Sequence, residues 1–273
     1  MDRALIFDCD GVLGDTELYG HLPAFNQMWE RLGVPWQWSE EQYGVKLKIG
    51  GGKERMASLF ADADFRARVN APESEEDRKS LIARWHKEKT AIYEGIINSG
   101  KIPGRPGIRR LSEEAQKAGW KLAVASTSAP AAVAAVLKHA VGEALAREFL
   151  VLSGDIVPKK KPAPDIYNLA LERLNLPASR CVAVEDSRNG MLAAYAAHIP
   201  VLVTISSYTG AEDFREAAVV LDSLGDPQGP KCMVLASRTP NSIGDYVKLK
   251  DISNLIQSER VSVEEQTQNT VKM

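Results

Sequence analysis

The sequence predicts an α/β protein, a doubly wound parallel sheet interrupted by an inserted helical domain, and three observations carry that reading. Apolar runs of four or five residues recur through most of the chain, each bounded by polar or turn residues as a buried strand is. Helical patterns ending on glycine or proline lie between them, and this βαβα order builds a parallel sheet covered on both faces. The third observation is a gap, because no strand pattern occurs from about Thr16 to Gly100.

The first strand is residues 4–7. In the insertion that follows, Leu18, Leu22, Phe25, Trp29 and Leu32 recur at helical spacing, and Leu81, Trp85, Ile92 and Ile96 do so again. Gly95, Gly100, Pro103, Gly104, Pro106 and Gly107 crowd its exit, the composition of a linker. A helix over 108–118 stops at Gly119, a strand follows at 121–125, and a helix over 129–140 stops near Gly142. A strand at 149–152, a helix over 165–174 closed by Pro177, and strands at 181–184 and 201–205 complete the alternation. The expected domains are an α/β core of residues 1–15 and 101–256, a helical cap of 16–100, and a polar tail of 257–273.

Composition narrows the classes of function. With 44% hydrophobic and 26% charged residues in 273, the chain can bury a substantial core. Thirty-four basic against 36 acidic side chains leave a net charge of −2, so no global field favours nucleic acid or an anionic membrane. The apolar run before Asp8 has four residues, short of a secretory signal, and no stretch approaches the length of a membrane span. Cys9, Cys181 and Cys232 are odd in number and form no C-x-x-C, which excludes a disulfide framework and a thiolate zinc site. A cytoplasmic, monomeric protein acting on a small molecule is expected, with no nucleic-acid or membrane partner.

In open α/β sheets the ligand lies beyond the carboxyl ends of the strands, so the residues just after each strand are informative. Strand one runs into Asp8-Cys9-Asp10-Gly11, strand two into Ser126-Thr127-Ser128, and strand four into Glu185-Asp186-Ser187. Lys159-Lys160-Lys161-Pro162 follows strand three. D-x-D-G alone arises by chance in roughly one chain of this length in fifteen, so its weight comes from this placement. Asp8, Asp10, Glu185 and Asp186 in one crevice repel one another unless a cation or shifted protonation relieves them. Oxygen ligands without a histidine or cysteine cluster favour Mg²⁺, which takes one or two carboxylates together with a substrate phosphate. Ser126 and Lys161 complement it as hydroxyl donor and positive charge for phosphoryl oxygens.

Asp8-Cys9-Asp10-Gly11-Val12-Leu13, Ser126, Lys161-Pro162 and Glu185-Asp186 resemble the four motifs of the haloacid dehalogenase superfamily, in the phosphatase and phosphomutase branch with a helical cap after the first motif. The resemblance covers the chain to about Asp226 and implies a Rossmann-like core. It implies that Asp8 is the nucleophile, Asp10 the general acid and base, and Ser126 and Lys161 the phosphate holders. It also implies a Mg²⁺ site of Asp8, the Asp10 carbonyl and Asp186, with Glu185 beside it.

The insertion carries the substrate signals. Three glycines, Gly50, Gly51 and Gly52, precede a helix start with Lys53 and Arg55, which lets backbone N–H groups approach an anion such as a second phosphate. Asp15-Thr16-Glu17, His21, Tyr43-Gly44 and residues 50–55, with Ser206-Ser207-Tyr208-Thr209 and Glu212-Asp213-Phe214, resemble the CbbY-like group of these phosphatases. That resemblance implies removal of the 1-phosphate of xylulose 1,5-bisphosphate, with Glu17, His21, Tyr43, Gly51, Gly52, Lys53, Arg55 and Thr127 meeting the phosphosugar. Tyr19-Gly20 departs from the acidic residue expected before Gly-His in that group. Two alternatives stand beside it, a β-phosphoglucomutase-like mutase using the same motifs, and a phospho-accepting receiver-like module, against which the D-x-D pair and the long insertion count.

Overall fold

The computed structural model describes residues 2–49 and 51–256; Gly50 and the polar tail at 257–273 lie outside the described residues. The chain forms two compact units, one from the residues up to Asp15 and from Pro103 onward, the other from Thr16–Ile102.

The first unit is built on seven strands, β1 (Ala4–Phe7), β2 (Lys121–Ala125), β3 (Phe149–Leu152), β4 (Cys181–Glu185), β5 (Val201–Thr204), β6 (Val219–Leu221) and β7 (Val234–Ser237). Their order is β3-β2-β1-β4-β5-β6-β7, parallel throughout except for the antiparallel β6–β7 pair. β1 lies between β2 and β4, with Ala4 opposite Lys121 and Cys181, and Phe7 opposite Val124 and Val184. Every residue of β1 and β4 is buried, as expected of strands covered on both faces. Two corrections concern the ends: β4 includes Glu185, which is thus the last strand residue and not the first of the loop, and β5 stops at Thr204. β6 and β7 extend the sheet beyond the five expected strands, β6 having only three residues and β7 an exposed edge without alternation.

The inserted unit opens on a π-helical turn, Glu17–His21, that leads into α1 (Leu22–Arg31). It continues through α2 (Glu40–Lys46), α3 (Gly52–Ala57), α4 (Ala63–Arg68) and the long α5 (Glu75–Asn98). Ser39 and Gln42 form a reciprocal capping box at the start of α2, and Ser74 caps α5 ahead of three acidic residues that suit its positive end. The core of this unit is aromatic: Phe25, Trp29, Trp38 and Tyr43 form one group, with Trp29 edge-on to Trp38 at 4.7 Å between ring centres. The buried stripe of α5 is Ile82, Trp85, Lys89, Ile92, Tyr93 and Ile97, so Leu81 and Ile96 sit beside the stripe and not on it. Leu32, at the end of α1, is exposed.

The helices α6 (Ile108–Lys117), α7 (Pro130–Val141), α8 (Glu143–Ala146), α9 (Asp165–Leu174) and α10 (Arg188–Ala196) accompany the sheet, and residues 249–256, the last of the described ones, are helical as well. α7 starts with proline in its first turn and ends at Gly142 in a positive-φ conformation, while α9 closes on left-handed Asn175. α10 carries no clear pattern in the sequence because Asn189 and Gly190 occupy its first turn. Gly190 is required there, since a Cβ at that position would overlap the Glu185 carboxylate.

Candidate active site

The site grows from the carboxyl ends of β1, β2 and β4, where the strand order reverses about β1. β1 delivers Asp8, whose backbone N–H still bonds Val184 O at 2.9 Å, so the residue stands at the carboxyl end of the sheet. The chain then turns tightly, with Gly11 N–H on Gly14 O and Leu13 N–H on Cys9 O. Gly11 has φ +79°, and a Cβ there would fall onto the Asp186 carboxylate. Only glycine permits both the conformation and the approach.

Lys161 links the acids. Its Nζ donates to Asp8 Oδ1 and Glu185 Oε1, each at 2.6 Å, and to Ala125 O at 2.9 Å. Tyr167, fully buried on α9, gives its hydroxyl to the same Glu185 oxygen, while Glu185 Oε2 is buried without a hydrogen-bond partner. Carboxylate oxygens of Asp8, Glu185 and Asp186 lie within 4.8 Å of one another, all three residues buried. Burial, opposed by Lys161 and reinforced by Glu185 and Asp10, pushes the Asp8 carboxyl up to about 7. Burial, with Asp8 and Glu185, also holds Asp186 well above the carboxylate range. Burial works against a charged Lys161, yet its two carboxylates keep its pKa above the ordinary lysine value.

This donor set fits a hard divalent cation: of three clustered buried carboxylates only Asp8 and Glu185 are paired with the Lys161 ammonium, one Glu185 oxygen is orphaned, and among the described residues the cluster includes no histidine or cysteine. Asp10 accepts the Ser128 hydroxyl on Oδ2, and Ser128 N–H bonds Ser126 Oγ at 3.1 Å. Ser126 is buried and anchored by its N–H to Leu152 O, while Thr127 beside it is partly exposed. Cys9 is buried, and burial together with Asp10 and Asp8 raises its thiol pKa, which suits packing and not nucleophilic chemistry.

The inserted unit gathers a second polar group. Tyr43 donates its hydroxyl to Glu17 Oε2 at 2.5 Å, and Arg55 Nη1 donates to Tyr43 Oη at 2.8 Å and to Glu17 Oε2 at 3.4 Å. Arg55 Nε is held by Ile49 O at 3.0 Å. His21 stacks on Tyr93 with ring centres 3.9 Å apart, and its Nδ1 lies 2.6 Å from Lys89 Nζ. Gly51 has φ +93° and precedes α3, whose first residue Gly52 packs beside His86 and Phe25. Lys53 differs from Arg55: it is exposed, stands outside the Glu17–Tyr43–Arg55 group, and bears electrostatically on His86.

A family model described as haloacid dehalogenase-like hydrolase matches residues 3–198, a span that contains both polar groups. The chain belongs to the haloacid dehalogenase-like hydrolases. Within that family it stands in the CbbY-like and β-phosphoglucomutase-like phosphatase branch, and it is an enzyme of the phosphatase kind. It is 46% identical over 227 residues to a CBBY-like protein of Arabidopsis thaliana, covering 83% of this chain and 70% of that one. It is 33% identical over 221 residues to a phosphorylated carbohydrates phosphatase of Thermotoga maritima, covering 80% and 92%. A crystal structure of a CbbY mutant from Rhodobacter sphaeroides in complex with xylulose-(1,5)bisphosphate superposes with a TM-score of 0.69 and 38% identity, covering 82% and 95%. For a haloacid dehalogenase-like hydrolase the receiver-like alternative is set aside. Among the described residues no helix is long and apolar enough to cross a membrane.

Three side chains at these sites, Tyr167, Lys89 and Arg105, escape the sequence reading, and a fourth, Ser128, is named there only within its run and without a role. Tyr167 is the lone hydroxyl of an amphipathic helix, and Ser128 stands two places past Ser126 in a run of small polar residues. Lys89 occupies a core position of α5, where a lysine among Trp85, Tyr93 and Ile97 is the available signal. Arg105 hides among linker prolines and glycines. It donates to Gly11 O, Thr204 O, Ile205 O and Asp222 O, and so fastens the turn after β1 to the ends of β5 and β6.

Proposed function

We propose that this chain is a Mg²⁺-dependent sugar-phosphate phosphatase that works through an aspartyl phosphate on Asp8, with a sugar bisphosphate such as xylulose 1,5-bisphosphate as substrate. The observation that carries the reading is a buried Asp8 held by Lys161 and flanked by Asp10, Glu185 and Asp186.

Asp8 attacks phosphorus in line, and Asp10 donates a proton to the departing sugar oxygen so that no free alkoxide leaves. Water then attacks the aspartyl phosphate, Asp10 takes its proton, and inorganic phosphate and the Asp8 carboxylate are released. Ser128 fixes the Asp10 carboxyl, while Ser126, Thr127 and Lys161 hold the phosphoryl oxygens, Lys161 neutralising their charge. Asp8, the Asp10 carbonyl and Asp186, with Glu185 behind them, would hold Mg²⁺, which supplies further charge neutralisation. In the inserted unit, Glu17, Tyr43 and His21 suit sugar hydroxyls, and Arg55 with Lys53 and the Gly51–Gly52 backbone suits a second phosphate. The similarity to a CbbY structure holding a sugar bisphosphate supports this choice.

The test is phosphate release across sugar mono- and bisphosphates with Mg²⁺ and after chelation. Stoichiometric, chelator-sensitive release, fastest on a bisphosphate, is expected. Conversion of β-glucose 1-phosphate to glucose 6-phosphate without phosphate release would assign the chain to the mutases instead.

A further inference from the structure

Lys89 is 6% exposed, in the middle of the buried stripe of α5. A lysine so placed is uncommon unless its ammonium is matched. Its Nζ lies over the ring faces of Phe25 at 4.8 Å and Tyr93 at 4.7 Å, the surroundings of a cation and not of a neutral amine. It also meets His21 Nδ1 at 2.6 Å, while the His21 ring stacks on the same Tyr93. An ammonium has donors only, so Nδ1 must be the acceptor, and a neutral imidazole whose Nδ1 accepts carries its proton on Nε2.

We infer that Lys89 is a positioning residue that holds His21 as the neutral Nε2–H tautomer, so that His21 offers a hydrogen-bond donor to an oxygen of the phosphosugar. The last step rests on the proposed function; the Lys89–His21 relation stands without it. Glu17 and His21 are four residues apart in one π-helical turn and so share a side of it. One is an acceptor already engaged by Tyr43 and Arg55, and the other becomes a fixed donor. This pairing discriminates the orientation of a hydroxyl or phosphoryl oxygen in a way that a freely rotating or doubly protonated histidine does not. Burial first, then the positive charges of Lys89, Arg55 and His86, favour the uncharged ring and keep its pKa well below the ordinary histidine value.

Side-chain ¹H–¹⁵N correlation spectra tell the two tautomers and the imidazolium apart, with His21 assigned by its loss in His21→Gln. In the wild-type chain at pH 7, His21 is expected to be protonated at Nε2 only and to remain so below pH 6. An Nδ1–H or imidazolium signal overturns the inference without any Lys89 variant. Lys89→Met should introduce Nδ1–H or move the titration upward, and Lys89→Arg should restore the wild-type pattern; an unchanged His21 in Lys89→Met overturns the inference. On the best sugar phosphate, Lys89→Met should raise KM about tenfold, the worth of one hydrogen bond, and affect kcat less. An altered tautomer with unaltered KM would show that Lys89 sets the tautomer but refute the substrate role of His21. If the wild-type chain releases no phosphate from any sugar phosphate, the proposed function fails, while the spectra still decide whether Lys89 sets the tautomer.

Discussion

The two units solve opposite electrostatic problems with different kinds of interior. The first packs aliphatic strands, and at their ends clusters Asp8, Glu185 and Asp186, with the Lys161 ammonium paired to the first two. The inserted unit packs aromatic rings around two cations, Lys89 over the faces of Phe25 and Tyr93 and Arg55 beside Tyr43 and Glu17, with His21 and His86 favoured uncharged. An acid-rich pocket in an aliphatic wall calls for a cation, and a basic one lined by rings calls for an anion with polar edges.

The largest effect that can break this contrast is on the acid side. Asp8→Asn should lower kcat by at least about 10⁴-fold while circular dichroism and Tm show the fold intact, since it removes the carboxylate proposed to attack and leaves the shape. Arg55→Ala should act differently, raising KM for a sugar bisphosphate by about ten- to a hundredfold, the worth of a charge-assisted hydrogen bond. Equal losses on monophosphates and bisphosphates would remove the distal-phosphate role. Trp29→Ala, at the centre of the aromatic group, should destabilise the inserted unit by about 3–5 kcal/mol in denaturant unfolding, with no direct effect on the acids.

The smallest effects lie in pH dependence, and the two units differ in sign. Asp8 is raised in the fold, so without metal its contribution to stability is complete below its unfolded value of 3.8 and is lost as pH rises through about 7. Added Mg²⁺ competes for ionised carboxylates, so its thermal shift should grow from pH 5 to pH 8. His21 is lowered in the fold, so its contribution is complete above 6.5 and is lost as pH falls. Metal-free unfolding of wild type, Asp8→Asn and His21→Gln from pH 4 to 8 separates the two slopes.

The sheet was legible where strands are fully buried. β1, β2 and β3 follow directly from apolar runs that stop at a polar residue, and β4 differs only because Glu185 spends its carboxylate on Lys161 and Tyr167 while its backbone stays in the ladder. β6 and β7 give no such run, one being too short and the other facing solvent. The convergence of strand ends brought Asp8, Ser126 and Asp186 into view because parallel topology aligns them. Residues that hold those groups in place were silent or without a role: Tyr167, Arg105, Lys89 and, inside its small polar run, Ser128 are single polar side chains whose partners lie far along the chain, and no spacing announces such a pair. In α5 a helical period drawn through Leu81 and Ile96 passes beside the true stripe, because a lysine occupies one of its core positions.

The hydrogen bond from Arg105 N–H to Leu13 O, at 3.0 Å, has a consequence for how such a chain is assembled. It brings together two points of the first unit that lie on either side of the whole Thr16–Ile102 segment, and Asp15 is fastened as well, accepting the N–H of Ser207 at 3.1 Å. The insertion therefore leaves and re-enters at a seam that the remaining chain closes by itself. The cost of closing a loop grows only slowly with its length, so segments of very different size can be exchanged at this seam without reshaping the turn that carries Asp8 and Asp10. The insertion can then be replaced as a cassette, while the turn after β1 and the polar residues at the strand ends are inherited unchanged.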